Sequence, residues 1–487
     1  MIHASYISSP KLREWLLVGG LYLFELLSLI ALFAFYRARY HPASVTFLIS
    51  PSGLLFLGST VSAIVVGGIL VGLAVYDRRA GSNRWLFALL TNLIVIGCLI
   101  LVTEGVLRLA VREKGNGEVL NGRLIYPRQW ERVKSRYHEI LARARVEQTW
   151  DVEDPLLGWS IGPNRTSENG LYKSSAEGLR AATEGEALFS QKPACRVALL
   201  GDSYTFGEHV PYEKTWAHHL DQALGSTCQV LNFGVGGYGI DQMYLRYTKD
   251  VRAWSPDIVI LAFINHDVDR ALSVYSFLLF PHGSIPMTKP RFVLHSNDLT
   301  IVNLPLISSD DVFQKASIRE LPFIEYDAEY RATEWDQPEW ALPTFFYGLR
   351  LLVSLYPPHE PARPEISKEQ LLGIGRHIFV RFWNEVRADG AVPLVVYLPT
   401  EGDLEGPAWE PPILNILREE NIPHIDLRPC MYPFKVNELF RPREVGGHYS
   451  EMGNRQTASC LSESVRKLIA SSVVIPTRST QKALEAP

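Results

Sequence analysis

The hydrophobic residues of this chain are concentrated at its beginning. Three apolar stretches there, Trp15 to Tyr36, Leu54 to Tyr76 and Trp85 to about Ala110, reach the roughly 20 residues needed to cross a bilayer. Trp15, Tyr36, Tyr76 and Trp85 stand at their ends, where amphipathic rings favour the membrane–water interface. The first stretch is long for a signal peptide, shows no small-residue cleavage site and is followed by two more spans. Three spans put the N-terminus and the large C-terminal part on opposite sides. Lys11 and Arg13 share a side with Arg78, Arg79 and Arg84, against Arg37, Arg39, Arg112 and Lys114, so the basic residues favour an internal N-terminus. Glu25, midway along the first stretch, is either functional or a protonated carboxyl bonded within the helix bundle. Glu104 and Arg108, spaced i, i+4, can pair near the interface.

From Arg112 to Gln191 the chain is polar and mixed. Gln129–Val146, rich in Arg, Glu and Ala, reads as a helix. Asp154–Asn164 (DPLLGWSIGPN), punctuated by Pro and Gly, reads as a loop. From Lys192 short apolar runs alternate with helical periods. The runs Val197–Leu200, Val230–Leu231, Ile258–Phe263, Leu394–Leu398 and Pro423–Asp426 predict strands. Helices are expected around Glu213–Leu224, Asp241–Trp254, Lys368–Ala388 and Ser450–Ile469. Such alternation predicts an α/β fold, a doubly wound parallel five-stranded sheet with helices on both faces. The strands lack polar alternation, as befits a sheet buried on both sides. The organisation expected is a three-span membrane domain (1–112), a connecting region (113–191), an α/β domain (192–475) and a flexible tail (476–487). An insertion at 267–364 separates the third strand from the next helix. It carries a hairpin signal, Ser296-Asn297-Asp298 between Arg291–His295 and Leu299–Val302, and an apolar, aromatic stretch, Leu342–Leu355. It reads as a cap beside the site, a surface resting on the membrane, or a packing elaboration.

Composition narrows the functions. Acidic residues (52) nearly balance basic ones (48) over 487 residues. That leaves no clustered basic face for nucleic acid. No internal repeat and no phosphate-cradling GxxxxGK[ST] loop occurs. Four of the five cysteines, Cys195, Cys228, Cys430 and Cys460, lie beyond the apolar region and show no metal-ligand spacing. Cys195 and Cys228 precede neighbouring expected strands, and Cys430 and Cys460 flank the last strand and helix. The four form either two disulfides, in an oxidising compartment, or buried free thiols.

In a doubly wound sheet, ligands bind beyond the carboxyl ends of the strands. The first strand ends in Gly201-Asp202-Ser203-Tyr204-Thr205-Phe206-Gly207, and the second in Asn232-Phe233-Gly234-Val235-Gly236-Gly237. Asn265 ends the third, and Glu444-Val445-Gly446-Gly447-His448 follows the fifth. A serine hydroxyl becomes nucleophilic when an imidazole takes its proton. Amide donors of a glycine-rich turn and an asparagine can hold the oxyanion that results. Taken singly, Ser203 could cap a helix, His448 could be a surface histidine, and Asn232 and Asn265 could close turns.

These blocks resemble the SGNH, or GDSL-like, hydrolases over about Lys192–Leu468, the insertion excepted. The resemblance implies a flavodoxin-like sheet of the SGNH type, with Ser203 as nucleophile and His448 as base. It implies an oxyanion hole from the Ser203 backbone, Gly237 (Gly234 if the second block is shifted) and the Asn265 side chain. The DPLLGW stretch and the three spans are similar to a bacterial membrane-bound subgroup. The chain departs from the pattern at His266, where the third block usually has Asp. It departs again at Gly446 and Val445, one of which the family makes an Asp that orients the histidine. Glu444 is the substitute expected here; otherwise a Ser–His dyad operates with a backbone carbonyl orienting the ring, or the site is weakened.

The expected function is a membrane-anchored esterase or O-acyltransferase that needs no cofactor or metal. It would act through an acyl-Ser203 intermediate on acyl (acetyl) esters of a cell-envelope glycan or lipid, at the outer face of a bacterial inner membrane. The competing expectation is a catalytically weakened, membrane-tethered binding or assembly protein.

Overall fold

The computed structural model describes residues 19–28, 30–31, 51–79, 84–191, 193–225, 228–336, 345–355, 363–406, 410–443 and 446–472. The chain forms two compact units, one of residues 1–133 and 331–361, the other of 134–330 and 362–487.

The first unit contains the helices Pro51–Arg79 and Arg84–Ala110. Of the first expected span, 19–28 and 30–31 are helical, and the rest lies outside the described residues. Gly20 faces Leu70 and Gly67 faces Phe24, so small residues let these helices approach. Among the described residues one stretch, Leu90–Ala110, is long and apolar enough to cross a membrane; Gly58–Gly72 is a shorter apolar helix. A three-stranded antiparallel sheet follows, Arg112–Lys114, Gly117–Leu120 and Arg123–Ile125, where only a connecting region was expected. Asn121 (φ 49°) and Gly122 (φ 78°) make its second turn, both left-handed as a two-residue hairpin requires. The unit is completed by the helix Tyr347–Leu355, from the apolar end of the insertion.

The second unit is built on a parallel sheet whose strands are β1 (Cys195–Leu200), β2 (Cys228–Asn232), β3 (Ile258–Phe263), β4 (Val392–Tyr397) and β5 (His424–Asp426). Their spatial order, 2-1-3-4-5, reverses between β1 and β3. Successive residues of β3 feed opposite cores. Val259, Leu261 and Phe263 join Met243, Tyr247, Ile378 and Phe382 on one face. Ile258, Ile260 and Ala262 join Trp216, Leu220, Leu461 and Val465 on the other. Every β3 side chain is fully enclosed. That explains its unbroken apolar run, since each such side chain stabilises the fold by about 1.5–3 kcal/mol.

Local capping corrects three boundaries. The helix expected from Glu213 breaks at Thr215, whose side chain caps Trp216–Leu224 by accepting from the His218 N–H. The one expected over Asp241–Trp254 ends at Lys249 and continues as a 3₁₀ turn, Val251–Trp254. The expected loop Asp154–Asn164 is a tight hairpin of Asp151–Asp154 with Gly158–Ile161. The Asp154 carboxylate accepts from the N–H groups of Leu156 and Leu157 (3.0 and 2.9 Å), and Gly158 (φ 86°) closes the turn. The insertion hairpin, Phe292–His295 with Asp298–Ile301, forms as its turn residues indicate. The tail from 476 lies outside the described residues.

Cys195 and Cys228 are direct partners in the β1–β2 register and form a disulfide, Cα atoms 4.5 Å apart. Cys430 and Cys460 form a second, 6.2 Å apart; Cys98 is free. Denatured without reductant, the protein is expected to show one reactive thiol, and five after reduction. Replacing Cys195 and Cys228 together by serine should lower unfolding stability by about 2–4 kcal/mol, read from chemical denaturation.

Candidate active site

β1 delivers Ser203 to the carboxyl edge of the sheet through two residues without freedom of choice. A Cβ on Gly201 would collide with the Thr205 side chain and the Ala262 carbonyl, so the strand turns there only with glycine. Asp202 caps the one-turn helix Ser203–Phe206, accepting from the Tyr204 N–H at 2.8 Å. The cap is therefore Asp202, and the Ser203 hydroxyl is released from that duty. Its Oγ lies 2.8 Å from Nε2 of His448 and 3.3 Å from Oδ2 of Asp202. The two chief catalytic candidates, 245 residues apart, are brought together.

His448 comes off a loop whose preceding residues, Gly446 (φ 109°) and Gly447 (φ 65°), are both left-handed. Its carbonyl accepts from the Arg441 N–H at 2.8 Å. Glu444, the expected orienting acid, and Val445 lie outside the described residues. The ring beside the His448 Nδ1 is that of His209, with the two Nδ1 atoms 3.1 Å apart. A Cβ on Gly446 would strike the His209 ring, so an Asp at 446 is sterically incompatible with His209 where it stands. His209 is itself strained into the left-handed region (φ 67°). Two bonds hold it there: its N–H donates to the Tyr172 hydroxyl (2.9 Å), and its carbonyl accepts from Arg441 (3.1 Å).

The chemistry assigns the tautomers. For Nε2 of His448 to accept the Ser203 proton, Nδ1 must carry the hydrogen; the Gly446 backbone carbonyl and the His209 Nδ1 are the acceptors beside it. His209 can orient the base, yet it brings no negative charge to balance an imidazolium. Burial is the largest influence on His448 and pushes its pKa down to about 4, with His209 and Arg270 acting the same way and Asp202 opposing them. Glu208 places Oε2 3.4 Å from Nε2 of His448. Burial, then the nearby Asp202 and Asp151, push its carboxyl up to about 7. Neither His209 nor Glu208 was singled out from the sequence; the only signal is their position directly after the GDSYTFG block.

The expected oxyanion donors are uncommitted. The Ser203 N–H is the first of its helix, where no intrahelical acceptor exists. The Asn265 side chain, half-buried after β3, makes no hydrogen bond to another described residue. The Gly237 N–H likewise has no partner among them, whereas the Gly234 N–H is taken by the Asn232 side chain at 2.9 Å. Asn232 also donates to the Thr205 carbonyl at 2.9 Å, so its side chain ties the β2 loop to the Ser203–Phe206 helix. The Trp159 indole donates to the Gly236 carbonyl at 3.0 Å. That carbonyl belongs to the same planar peptide as the Gly237 N–H and points the opposite way, so Trp159 sets the direction of the donor. Phe280, from the insertion, packs on Gly237 where any Cβ would meet its ring.

Behind Ser203, Arg270 bonds Asp202 (3.2 Å) and Asp267 (2.5 Å). Burial first, and then Asp202, raise the Asp267 pKa well above the usual carboxylate range. No cluster of metal-ligating side chains occurs among the described residues.

No family model matches the chain, and no curated protein matches it. Solved structures are similar to it. A lipase/acylhydrolase from Enterococcus faecalis aligns at 11% identity over 56% of this chain and 96% of its own, TM-score 0.30. An acetylxylan esterase from Geobacillus stearothermophilus aligns at 12% identity over 57% and 95%, TM-score 0.29. A member of the lipolytic G-D-S-L family from Veillonella parvula aligns at 13% identity over 55% and 96%, TM-score 0.26.

A fluorophosphonate probe is expected to label Ser203. The His209→Ala variant should react at least about tenfold more slowly, because an unheld imidazole samples the wrong tautomer. His209→Gln, whose amide oxygen can accept from Nδ1, should recover part of the rate; equal labelling in all three would remove His209 from the site.

Proposed function

We propose that this protein is a serine acyl hydrolase of the SGNH type, anchored in a bacterial inner membrane with its site on the outer side. The observation that carries the reading is the 2.8 Å contact between Ser203 Oγ and His448 Nε2. In the proposed reaction His448 takes the Ser203 proton as Oγ attacks an acyl carbonyl. The N–H groups of Ser203 and Gly237 and the Asn265 amide hold the oxyanion, each at about 3–4 kcal/mol of barrier. His448 then protonates the leaving alcohol. Water, or a sugar hydroxyl, attacks the acyl-serine with His448 again as base. The first outcome is an esterase and the second an O-acyltransferase; the proposed substrates are acyl esters of envelope glycans or lipids.

The membrane assignment is supported by the Leu90–Ala110 helix, by two further apolar stretches before it and by aromatic residues at their ends. The external placement is supported by two disulfides, which persist in oxidising compartments. One observation favours a second reading, a binding or assembly protein: burial makes His448 strongly disfavour its charged form.

Two measurements separate these. With p-nitrophenyl acetate, the wild-type protein should turn over and Ser203→Ala should fall by about 10³ or more; equal rates would leave only the binding reading. The pH profile of kcat/KM carries the sign of the imidazole shift. The neutral base is the working form, so a depressed pKa extends activity downward, and the acid limb should lie near pH 4 rather than near the ordinary 6.5. A second inflection near pH 7 is expected from Glu208 and should vanish in Glu208→Gln.

A further inference from the structure

The helix Tyr347–Leu355 is built the wrong way round for a helix on a water-soluble surface. Its charged residue is inside. The Arg350 side chain is 1% exposed, ion-paired with Glu118, and donates to the carbonyls of Ile125 (3.3 Å) and Pro127 (3.2 Å). The Tyr347 hydroxyl donates to Glu118 at 2.6 Å, and Ser354 accepts from the Tyr126 N–H at 2.8 Å. At ~100° per residue, Tyr347, Arg350, Val353 and Ser354 share this inner face. The opposite face then carries Phe345, Gly348, Leu352 and Leu355, with no polar side chain. Phe345 is 66% exposed and Leu355 53%. An amphipathic helix on a soluble protein turns its apolar stripe inward. Here the polar groups turn inward and are satisfied there, so the apolar outer face needs a non-aqueous environment.

The helix is also pinned to a particular place. The Glu104 carboxylate accepts from the N–H groups of Tyr347 (3.1 Å) and Gly348 (3.2 Å), satisfying donors at its N-terminus. Arg108 pairs with Glu104 at 2.8 Å and donates to the Phe345 carbonyl at 2.7 Å. Both residues lie near the end of the Arg84–Ala110 helix, just after its exposed apolar side chains Leu99, Leu101 and Val102. The outer face of Tyr347–Leu355 therefore continues the apolar surface of the stretch proposed to cross the bilayer. Exposed Arg112, Lys114 and Arg123 follow directly, as suits the headgroup level of an anionic leaflet.

We infer that Tyr347–Leu355 lies in the membrane interface, with Phe345, Leu352 and Leu355 in the boundary between headgroups and acyl chains. The chain thus returns to the bilayer within the insertion, long after its N-terminal apolar region. The inference rests on the proposed crossing by Leu90–Ala110, and the test keeps the two apart. The full-length protein is labelled at one cysteine with an environment-sensitive fluorophore and reconstituted in phosphatidylglycerol/phosphatidylcholine vesicles. One sample carries the label on native Cys98; a second carries it at Leu355→Cys in a Cys98→Ser background; a third at Glu113→Cys in the same background. Quenching by lipids carrying a nitroxide near the headgroup or deep in the acyl chain is compared with quenching by aqueous iodide. The expected result is severalfold stronger lipid than iodide quenching at 355, and the reverse at 113. Iodide-dominated quenching at 355, or protection there from both quenchers, overturns the inference while a lipid-quenched Cys98 label keeps the crossing. A Cys98 label that lipid fails to quench overturns both.

Discussion

The contact between the Ser203 hydroxyl and the His448 imidazole joins two loops that are distant in sequence and have to be held on one sheet edge. On the serine side the placement is enforced by sterics: Gly201 can have no side chain, and Asp202 takes the helix cap that the serine would otherwise occupy. On the histidine side two successive left-handed glycines swing the chain back toward β1. The rest of the sheet serves this meeting. β3 and the Val197–Leu200 end of β1 are fully enclosed on both faces, so the strand ends that carry Ser203 and Asn265 are packed as tightly as the core itself.

What replaces the usual acid changes the energetics of the base more than its geometry. A carboxylate does two things for a catalytic imidazole: it selects the tautomer, and it stabilises the positive ring that forms in the transition state. His209 supplies the first through Nδ1 and not the second. Burial is the largest cause of the depressed His448 pKa, His209 and Arg270 act the same way, and the Asp202 carboxylate opposes them. Glu208 lies 3.4 Å from Nε2 of His448, on the serine side of the ring. With its pKa near 7, Glu208 becomes an anion as the solution leaves neutrality for the alkaline side.

The parallel sheet was legible because β3 and its neighbours are apolar without interruption, a pattern that only burial on both faces explains. Ser203 and Asn265 stood out because they directly follow apolar strands, whereas His448 lies on a loop beyond two short helices after β5 and stood out only by its glycine-flanked block. The closeness of Cys195 and Cys228 was legible in the matching starts of two neighbouring strands, while the choice between disulfides and free thiols was not. The three-stranded sheet of the first unit was not legible by hydrophobicity, because Arg112–Lys114 is wholly exposed and charged; its Asn121-Gly122 turn was the available signal. His209 was not legible because its role depends on a left-handed backbone and on a partner 239 residues away. The hairpin at Asp154–Gly158 looked like an open loop because an Asp side chain, and not strand propensity, closes it.

The insertion looks from sequence like an addition to the sheet, and its buried charges say otherwise. Lys289 is completely enclosed and paired with Asp241, on the helix that leads away from the Gly237 loop. Its pKa is lowered by burial, with Asp241 first and Asp327 after it opposing the shift. Asp327, equally enclosed, accepts from the N–H groups of Val274 and Tyr275, both at 2.8 Å. Breaking such a pair by removing one partner costs about 3–5 kcal/mol, because the other charge is left buried. An element fixed at that cost is part of the core. Phe280 thus packs on Gly237 from a segment that is tied into the core of the second unit.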